Sequence, residues 1–139
     1  MNLTQFVEAQ DAVYEIVLAE LSAGYKETHW IWYIFPQLAG LGTSEESKKY
    51  AVPDIESARK YLQHPVLSER LRKCCELLLL HFGEDVVDIL GAGDAQKLQS
   101  SMTLFEIAEG RSGSIFGRIL DDFFEGVRDS RTVVALQSD

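Results

Sequence analysis

The sequence predicts an all-α fold, one compact multihelical domain over residues 1–139 with about six or seven helices of unequal length. Apolar residues recur three or four positions apart in several segments, which is the spacing of one helix face. No window alternates apolar and polar residues between closely spaced turns, as half-buried strands would. A chain of this length is typical of one domain and buries about two thirds of the surface that its unfolded form exposes.

The N-terminal segment predicts an amphipathic helix of about three turns. Its apolar residues repeat at helical spacing and are Val13, Ile16, Val17 and Leu21. Acidic and small residues occupy another side of this helix. Gly24 follows directly as a natural stop.

Two helices are predicted on either side of Pro65. The first opens at Asp54, whose side chain can cap the first turn, and ends at His64. The second begins at Pro65, because proline suits the first turn of a helix, and ends at Gly83. Its buried stripe is Leu67, Leu71, Cys74 and Leu78. Residues 77–80 are apolar on all sides, so this end is predicted to be the most buried part of the domain.

The C-terminal third predicts two further core helices. A short segment, residues 86–90, leads to a turn at residues 91–93, and Asp94 is the predicted cap of the next helix. The apolar stripe of that helix is Leu98, Met102 and Phe105. Residues 115–124 carry a wide apolar face and are followed by Gly126, so they form the last predicted helix.

Charge and composition exclude several kinds of partner. Thirteen basic residues against twenty-two acidic ones give a formal net charge of -9, which repels a phosphate backbone, so no nucleic-acid partner is expected. The first residues lack the basic and apolar stretches of a secretory signal, and no apolar run approaches the roughly 20 residues that span a bilayer. A cytoplasmic protein without membrane contact is therefore expected.

The two cysteines are predicted to be buried thiols. Cys74 and Cys75 are neighbours within an apolar helical pattern, and no spaced cysteine or histidine partners accompany them. The sequence therefore predicts no metal site and no cofactor.

The aromatic block, residues 28–37, departs from this regular pattern. Thr28 is the predicted cap of a short helix that Pro36 ends. In such a helix His29, Trp32 and Tyr33 share a face, while Trp30 and Ile34 point elsewhere. Two interpretations stay open: a central core helix, or a pocket for a flat or cationic ligand in which the histidine takes part.

The hydroxyl block, residues 97–103, is the second departure. Lys97, Ser100 and Ser101 lie close together on one side of a helix, where an ammonium and two hydroxyls can hold an anion. The same residues also fit a solvated helix face. Covalent catalysis by a serine with a lysine base is the third interpretation, and it requires a desolvated lysine.

Five segments of the chain, taken in order, resemble the bacterial DUF1810 family. They are residues 6–11 (Phe-Val-Glu-Ala-Gln-Asp), 29–38 (His-Trp-Ile-Trp-Tyr-Ile-Phe-Pro-Gln-Leu), 40–42 (Gly-Leu-Gly), 64–67 (His-Pro-Val-Leu) and 97–105 (Lys-Leu-Gln-Ser-Ser-Met-Thr-Leu-Phe). The similarity covers almost the whole chain, although Ala12 stands where related sequences often have proline. The resemblance implies a multihelical fold but no established reaction. Some members are labelled calpastatin-like, a label that this chain does not fit because it has no long disordered inhibitory repeat.

The family's two signature segments coincide with the aromatic and hydroxyl blocks. This coincidence predicts a cleft between residues 29–37 and 97–103 that binds a small anionic or nucleotide-like ligand. The candidate ligand contacts are His29, Trp30, Trp32, Gln37, Lys97, Ser100, Ser101 and Thr103. Catalysis with His29 as general base is the sharper form of this hypothesis, and the sequence leaves open whether the protein is an enzyme. The alternative is a protein-interaction module with no catalytic site, whose acidic surface meets a basic partner.

Overall fold

Helices dominate this computed structural model, which describes residues 1–137. The nine helices of that range are α1 (Leu3–Ala23), α2 (Ile31–Ile34), α3 (Glu45–Lys49), α4 (Ile55–Gln63), α5 (Pro65–Leu79), α6 (Val86–Leu90), α7 (Ala92–Glu109), α8 (Ile115–Phe124) and α9 (Ser130–Gln137). The all-α prediction is confirmed, but the predicted number of six or seven helices is too low. The sequence did not predict α3, which has no apolar residue, or α9, which is short and carries adjacent valines.

The predicted stop of α1 and the predicted boundary between α4 and α5 are confirmed, but α1 is longer than the three turns predicted, because it extends over Leu3–Ala23. Helix α1 ends at Gly24, which has a left-handed φ of 76°. Asp54 caps α4 by accepting a hydrogen bond from the Ser57 N–H at 2.8 Å. His64 ends α4 and its Nδ1 also caps α5, where it accepts from the Leu67 N–H at 3.3 Å, directly before Pro65.

Predictions about one end of α5 and one end of α7 are wrong. The end of α5 is not the most buried part of the domain, because Leu80 is 77% exposed and the helix ends at Leu79, before Gly83. Helix α5 packs against α1, α4 and α8 with its predicted stripe, which leaves its remaining side in solvent. Helix α7 begins at Ala92 rather than after a cap at Asp94, which lies in its first turn and forms an ion pair with Lys26.

The core is built around α7, which packs against α4, α6, α8, α9 and α2. Four aromatic rings form a continuous series of contacts through the centre of the domain. Phe6 contacts Tyr61 at 5.5 Å between ring centroids, Tyr61 contacts Phe105 at 5.2 Å, and Phe105 contacts Phe116 at 5.8 Å. These rings join α1, α4, α7 and α8 into one core.

Both cysteines are fully buried, as predicted. Burial raises the pKa of the Cys74 thiol to about 12 and that of Cys75 well above its ordinary value. Within residues 1–137 no group of His, Cys, Asp and Glu side chains is arranged to hold a metal ion. Over the same range, every helix is too short or too polar to cross a membrane.

A loop of residues 39–51, which contains α3, is closed at its base by the backbone. Leu38 and Val52 form an isolated parallel bridge, the Ala39 N–H donates to the Val52 carbonyl at 2.8 Å, and the Val52 N–H donates to the Gln37 carbonyl at 2.9 Å. This pairing brings α3 next to the aromatic block.

Candidate functional site

The start of the aromatic block is held by the buried carboxylate of Glu20, on α1. It accepts hydrogen bonds from the Glu27 N–H at 2.9 Å, the Thr28 N–H at 3.2 Å and the Thr28 hydroxyl at 2.7 Å. The Trp30 indole Nε1 donates to the same carboxylate at 2.9 Å. Burial pushes the pKa of Glu20 up, but these hydrogen bonds outweigh burial and the pKa is lowered. Thr28 is therefore a partner of Glu20, and the prediction that it caps α2 is wrong.

His29, Trp32 and Tyr33 line one concavity, which we call the aromatic cleft, although His29 lies before α2 and not on the helix as predicted. Its lining residues are His29, Trp32, Tyr33, Glu45, Glu46, Lys49 and Tyr50, and its volume is about 570 Å³. Trp30 and Ile34 point into the core, at 1% and 2% exposure. The aromatic block therefore contributes both to the core and to a cleft.

The walls of the aromatic cleft are rings set edge to face. The Tyr33 and Tyr50 ring centroids are 5.1 Å apart with an angle of 63° between the planes. The Tyr33 hydroxyl donates to the His29 carbonyl at 3.3 Å, and burial raises the pKa of Tyr33. The Lys49 ammonium lies 5.4 Å from the Tyr50 ring centroid. One face of this cleft thus already holds a cation over an aromatic ring.

A second concavity, which we call the polar cleft, lies where Gln37, the 41–47 segment and the start of α7 meet. Its lining residues are Gln37, Leu41, Gly42, Thr43, Ser44, Ser47, Gly93, Gln96, Lys97 and Arg131, and its volume is about 280 Å³. This cleft joins the aromatic block to the hydroxyl block through Gln37 and Lys97. Helix α3 borders both clefts, with Ser47 in the polar cleft and Glu46 in the aromatic cleft.

Gln37 is the residue through which the aromatic block lines the polar cleft. Its side chain is 9% exposed and has no hydrogen-bond partner among the residues that the structure describes. Gly42 packs closely beside it, since a Cβ on Gly42 would lie 2.4 Å from the Cβ of Ser47 and 3.2 Å from Nε2 of Gln37. The loop can therefore close against Gln37 only with glycine at this position.

The two cations of the polar cleft, Lys97 and Arg131, are weakly paired. Lys97 Nζ lies 3.4 Å from Asp94, which has a shorter ion pair with Lys26 at 2.7 Å. Arg131 Nε lies 3.7 Å from Asp129. The other oxygen of Asp129 accepts hydrogen bonds from the hydroxyls of Ser100 and Thr132, at 3.0 Å and 2.6 Å. Both carboxylates are engaged more closely elsewhere, so both cations keep hydrogen-bonding capacity for the cleft.

The three hydroxyls predicted to join Lys97 lie in the core, each at 0% exposure. Ser100 donates to Asp129, and Thr103 donates to the Gln99 carbonyl at 2.8 Å while it accepts from the Asp129 N–H at 2.9 Å. The Ser101 hydroxyl has no partner within residues 1–137. Helix α9 packs on α7. Because the sequence did not predict α9, it gave no sign that these hydroxyls would be covered.

The predicted ligand contacts are thus divided by the structure. Gln37 and Lys97 line the polar cleft, and His29 and Trp32 line the aromatic cleft. The buried ones line neither cleft and are Trp30, Ser100, Ser101 and Thr103. Sequence reasoning missed Arg131, which lies on α9, and it missed Tyr50, Ser44 and Ser47, which lie on or next to α3. Neither helix was predicted from the sequence, and none of these residues belongs to the aromatic or the hydroxyl block.

Comparison with known proteins places the chain in a family. The family model DUF1810, described as "Protein of unknown function (DUF1810)", matches residues 1–136. The crystal structure of the conserved hypothetical protein Rv1873 from Mycobacterium tuberculosis is similar at 42% sequence identity with a TM-score of 0.95, covering 99% of this chain and 97% of that one. No match was found among curated proteins. The family match extends over nearly the whole chain and confirms the resemblance read from the five segments, so the chain belongs to the DUF1810 family.

Proposed function

We propose that this domain binds a small anionic ligand, one that carries a phosphate or carboxylate group, in the polar cleft. The observation that carries the proposal is the charge of the lining. Among residues 1–137, the ionisable side chains that line it are Lys97 and Arg131 and none is a carboxylate, although the whole chain has a net charge of -9. A local excess of positive charge in an acidic protein favours an anion at this place.

Hydrogen-bond donors support the same ligand class. Gln37 is nine-tenths buried and its amide is without a partner in the described part of the chain. Gly93 lies in the first turn of α7, and the cap residue Gly91 provides no side-chain hydrogen bond to that turn. The first N–H groups of a helix without such a cap are available to an anion. The ideal Cβ position of Gly93 is 3.9 Å from Lys97 Nζ, so these donors and the ammonium are close together.

The proposal is one of binding and includes no catalytic step. His29, the candidate general base, is exposed and lines the aromatic cleft rather than the polar cleft. The lysine and serine of the hydroxyl block do not meet at one site either, because Lys97 lines the polar cleft while Ser101 is buried. Neither arrangement brings a base to a nucleophile at the proposed ligand position.

Calorimetric titration with pyrophosphate, adenosine monophosphate and citrate tests the proposal. At least one of these anions should bind, and Lys97→Ala and Arg131→Ala should each weaken that binding about tenfold, because a charge-assisted hydrogen bond is worth about 1.5–3 kcal/mol. Gln37→Ala should weaken it by a smaller factor. Lys73→Ala is the matched control, since this exposed lysine on α5 lines neither the polar nor the aromatic cleft.

Two results would contradict anion binding. One is the absence of heat with all three anions at millimolar concentration. The other is binding that Lys97→Ala, Arg131→Ala and the Lys73→Ala control reduce equally, since this would indicate attraction by overall charge rather than by the cleft.

The second candidate function is a protein-interaction module, and an exposed apolar surface favours it. Leu80 is 77% exposed and Phe82 is 71% exposed, in the turn after α5. The exposed residues Glu84, Asp85 and Asp88 follow in the chain, so this surface combines apolar and acidic groups. A basic, apolar segment of a partner would complement it. Binding of a synthetic Lys/Leu helix peptide that is lost in Leu80→Ser and Phe82→Ser, but kept in Lys97→Ala, would support this function over the first.

A further inference from the structure

We propose that the aromatic cleft is a second, independent binding site, and that its ligand is an organic cation such as a quaternary ammonium group. This site differs from the polar cleft in its residues and in the charge that it favours. Its volume of about 570 Å³ lies within the range of about 300–1,000 Å³ that small-molecule sites occupy.

The rings of the cleft provide the first argument. Trp32, Tyr33 and Tyr50 are each partly buried, so their positions are fixed by packing while part of each ring faces the cleft. Tyr50 is held on its other side by Phe6, at 5.5 Å between centroids. Aromatic rings attract a cation that lies within about 6 Å of the ring centroid. Fixed aromatic walls of this kind suit an organic cation whose charge is surrounded by apolar groups.

Lys49 shows that a cation fits over one of these rings. Its ammonium lies 5.4 Å from the Tyr50 centroid, at the cleft, and its side chain is exposed. An ammonium on a long, flexible, exposed side chain is held weakly and moves away at little cost. A ligand cation can therefore take the place of the Lys49 ammonium over Tyr50.

The carboxylates of α3 provide the second argument. Glu45 and Glu46 both line the cleft and are exposed, and neither has an ion-pair partner in the part of the chain that the structure describes. With Lys49 they leave the lining with more negative than positive formal charge. An anionic ring ligand would face these two carboxylates, whereas a cation gains from them. The combination of rings and carboxylates therefore favours a cation over a nucleotide in this cleft.

The position of the two tryptophans gives a direct assay. Trp30 is 1% exposed and hydrogen-bonded to Glu20, whereas Trp32 lines the aromatic cleft. Titration with choline chloride should give a saturable change in tryptophan fluorescence that equal concentrations of sodium chloride do not give. The change should disappear in Trp32→Phe, which keeps Trp30.

Variants of the cleft then test the chemistry of the ligand. Tyr50→Leu should weaken choline binding about fivefold, because a cation over an aromatic ring is worth about 0.5–2 kcal/mol. Tyr50→Leu also removes a ring that packs on Phe6. The double variant Glu45→Gln/Glu46→Gln changes exposed residues only, so it leaves the core intact, and it should weaken choline binding by a similar factor. Tyr25→Leu and Glu8→Gln are the matched controls, since both side chains are exposed elsewhere. Both should bind choline like wild type.

The outcomes separate this proposal from the function proposed for the polar cleft. Lys97→Ala should leave choline binding unchanged, and the two glutamine substitutions should leave anion binding in the polar cleft unchanged. A fluorescence response to choline that never exceeds that to sodium chloride would overturn the proposal. So would saturable binding of adenosine, a neutral flat ring, in the absence of any choline binding.

Discussion

The serine pair on α7 tests whether the hydroxyls of the hydroxyl block belong to the core rather than to a ligand site. Ser100 and Ser101 are neighbours on one helix and both are fully buried. The Ser100 hydroxyl donates to the Asp129 carboxylate at 3.0 Å, whereas the Ser101 hydroxyl has no partner in the described residues. The same substitution, Ser→Ala, should therefore have different effects on the free energy of unfolding at the two positions.

The expected magnitudes follow from these hydrogen bonds. Ser100→Ala removes a hydrogen bond to a charged acceptor, which is worth about 1.5–3 kcal/mol. Asp129 keeps its hydrogen bonds from Thr132, so we expect a loss of about 1.5 kcal/mol, at the lower end of that range. Ser101→Ala removes a buried hydroxyl whose missing hydrogen bond costs about 1–3 kcal/mol, and it leaves a void of one oxygen atom that offsets part of this gain. We expect Ser101→Ala to be between neutral and about 1 kcal/mol more stable than wild type.

Urea unfolding followed by far-ultraviolet circular dichroism measures both variants under one condition. The two midpoints should lie on opposite sides of the wild-type midpoint, or that of Ser101→Ala should coincide with it. A loss of stability in Ser101→Ala as large as that in Ser100→Ala would refute the reasoning. It would mean that the Ser101 hydroxyl has a partner, such as a buried water, that stabilises the fold.

The remaining predictions concern two titratable residues. Glu20→Gln should lower stability at neutral pH by about 2 kcal/mol, because the amide cannot accept all the hydrogen bonds that the carboxylate accepts. The pKa of Glu20 is lowered in the folded state, so its stabilisation is present above the unfolded pKa of about 4.3 and is lost as pH falls through the folded pKa. Urea unfolding at a series of pH values should show wild type and Glu20→Gln converging in acid, and a constant difference would contradict this. For His81, burial lowers the pKa, but hydrogen bonds to Glu84 and to the Leu21 carbonyl, each at 2.8 Å, outweigh burial and raise it. Its stabilisation is therefore complete below the unfolded pKa of about 6.5 and is lost as pH rises through the folded pKa, so thermal unfolding of His81→Gln should show less change than wild type as pH rises from about 6 to 8.

The sequence predicted those parts of the fold that depend on local signals. Apolar spacing predicts the buried stripe of α5, with Leu67 and Leu78. The left-handed backbone conformation that glycine favours predicts the helix stop at Gly24. The end of α5 shows where such signals fail. Leu80 is apolar like its neighbours, yet it is exposed, because burial depends on which distant helix covers a surface and not on the local composition.

Only part of each candidate site could be predicted, because local patterns do not show which distant segments of the chain come together. His29, Trp32 and Tyr33 are near one another in the sequence, so their spacing alone indicates that they lie together, although His29 comes before α2. Arg131 reaches the polar cleft only because α9 packs on α7, a contact between segments that are distant in the sequence. The hydroxyls of the hydroxyl block are covered in the core, and no local pattern distinguishes them from exposed ones.

The loop of residues 39–51 has a consequence for local stability. Two short backbone hydrogen bonds close it at Gln37, Ala39 and Val52, in the manner of an Ω-loop. Opening of the loop would have to separate Tyr50 from Phe6 and expose Ser47, but the other residues of α3 are already exposed. The loop should therefore open as a unit at a lower free energy than global unfolding. Such an opening would remove one wall from the polar cleft and one from the aromatic cleft in a single step, so a ligand in either cleft would hold the same loop closed.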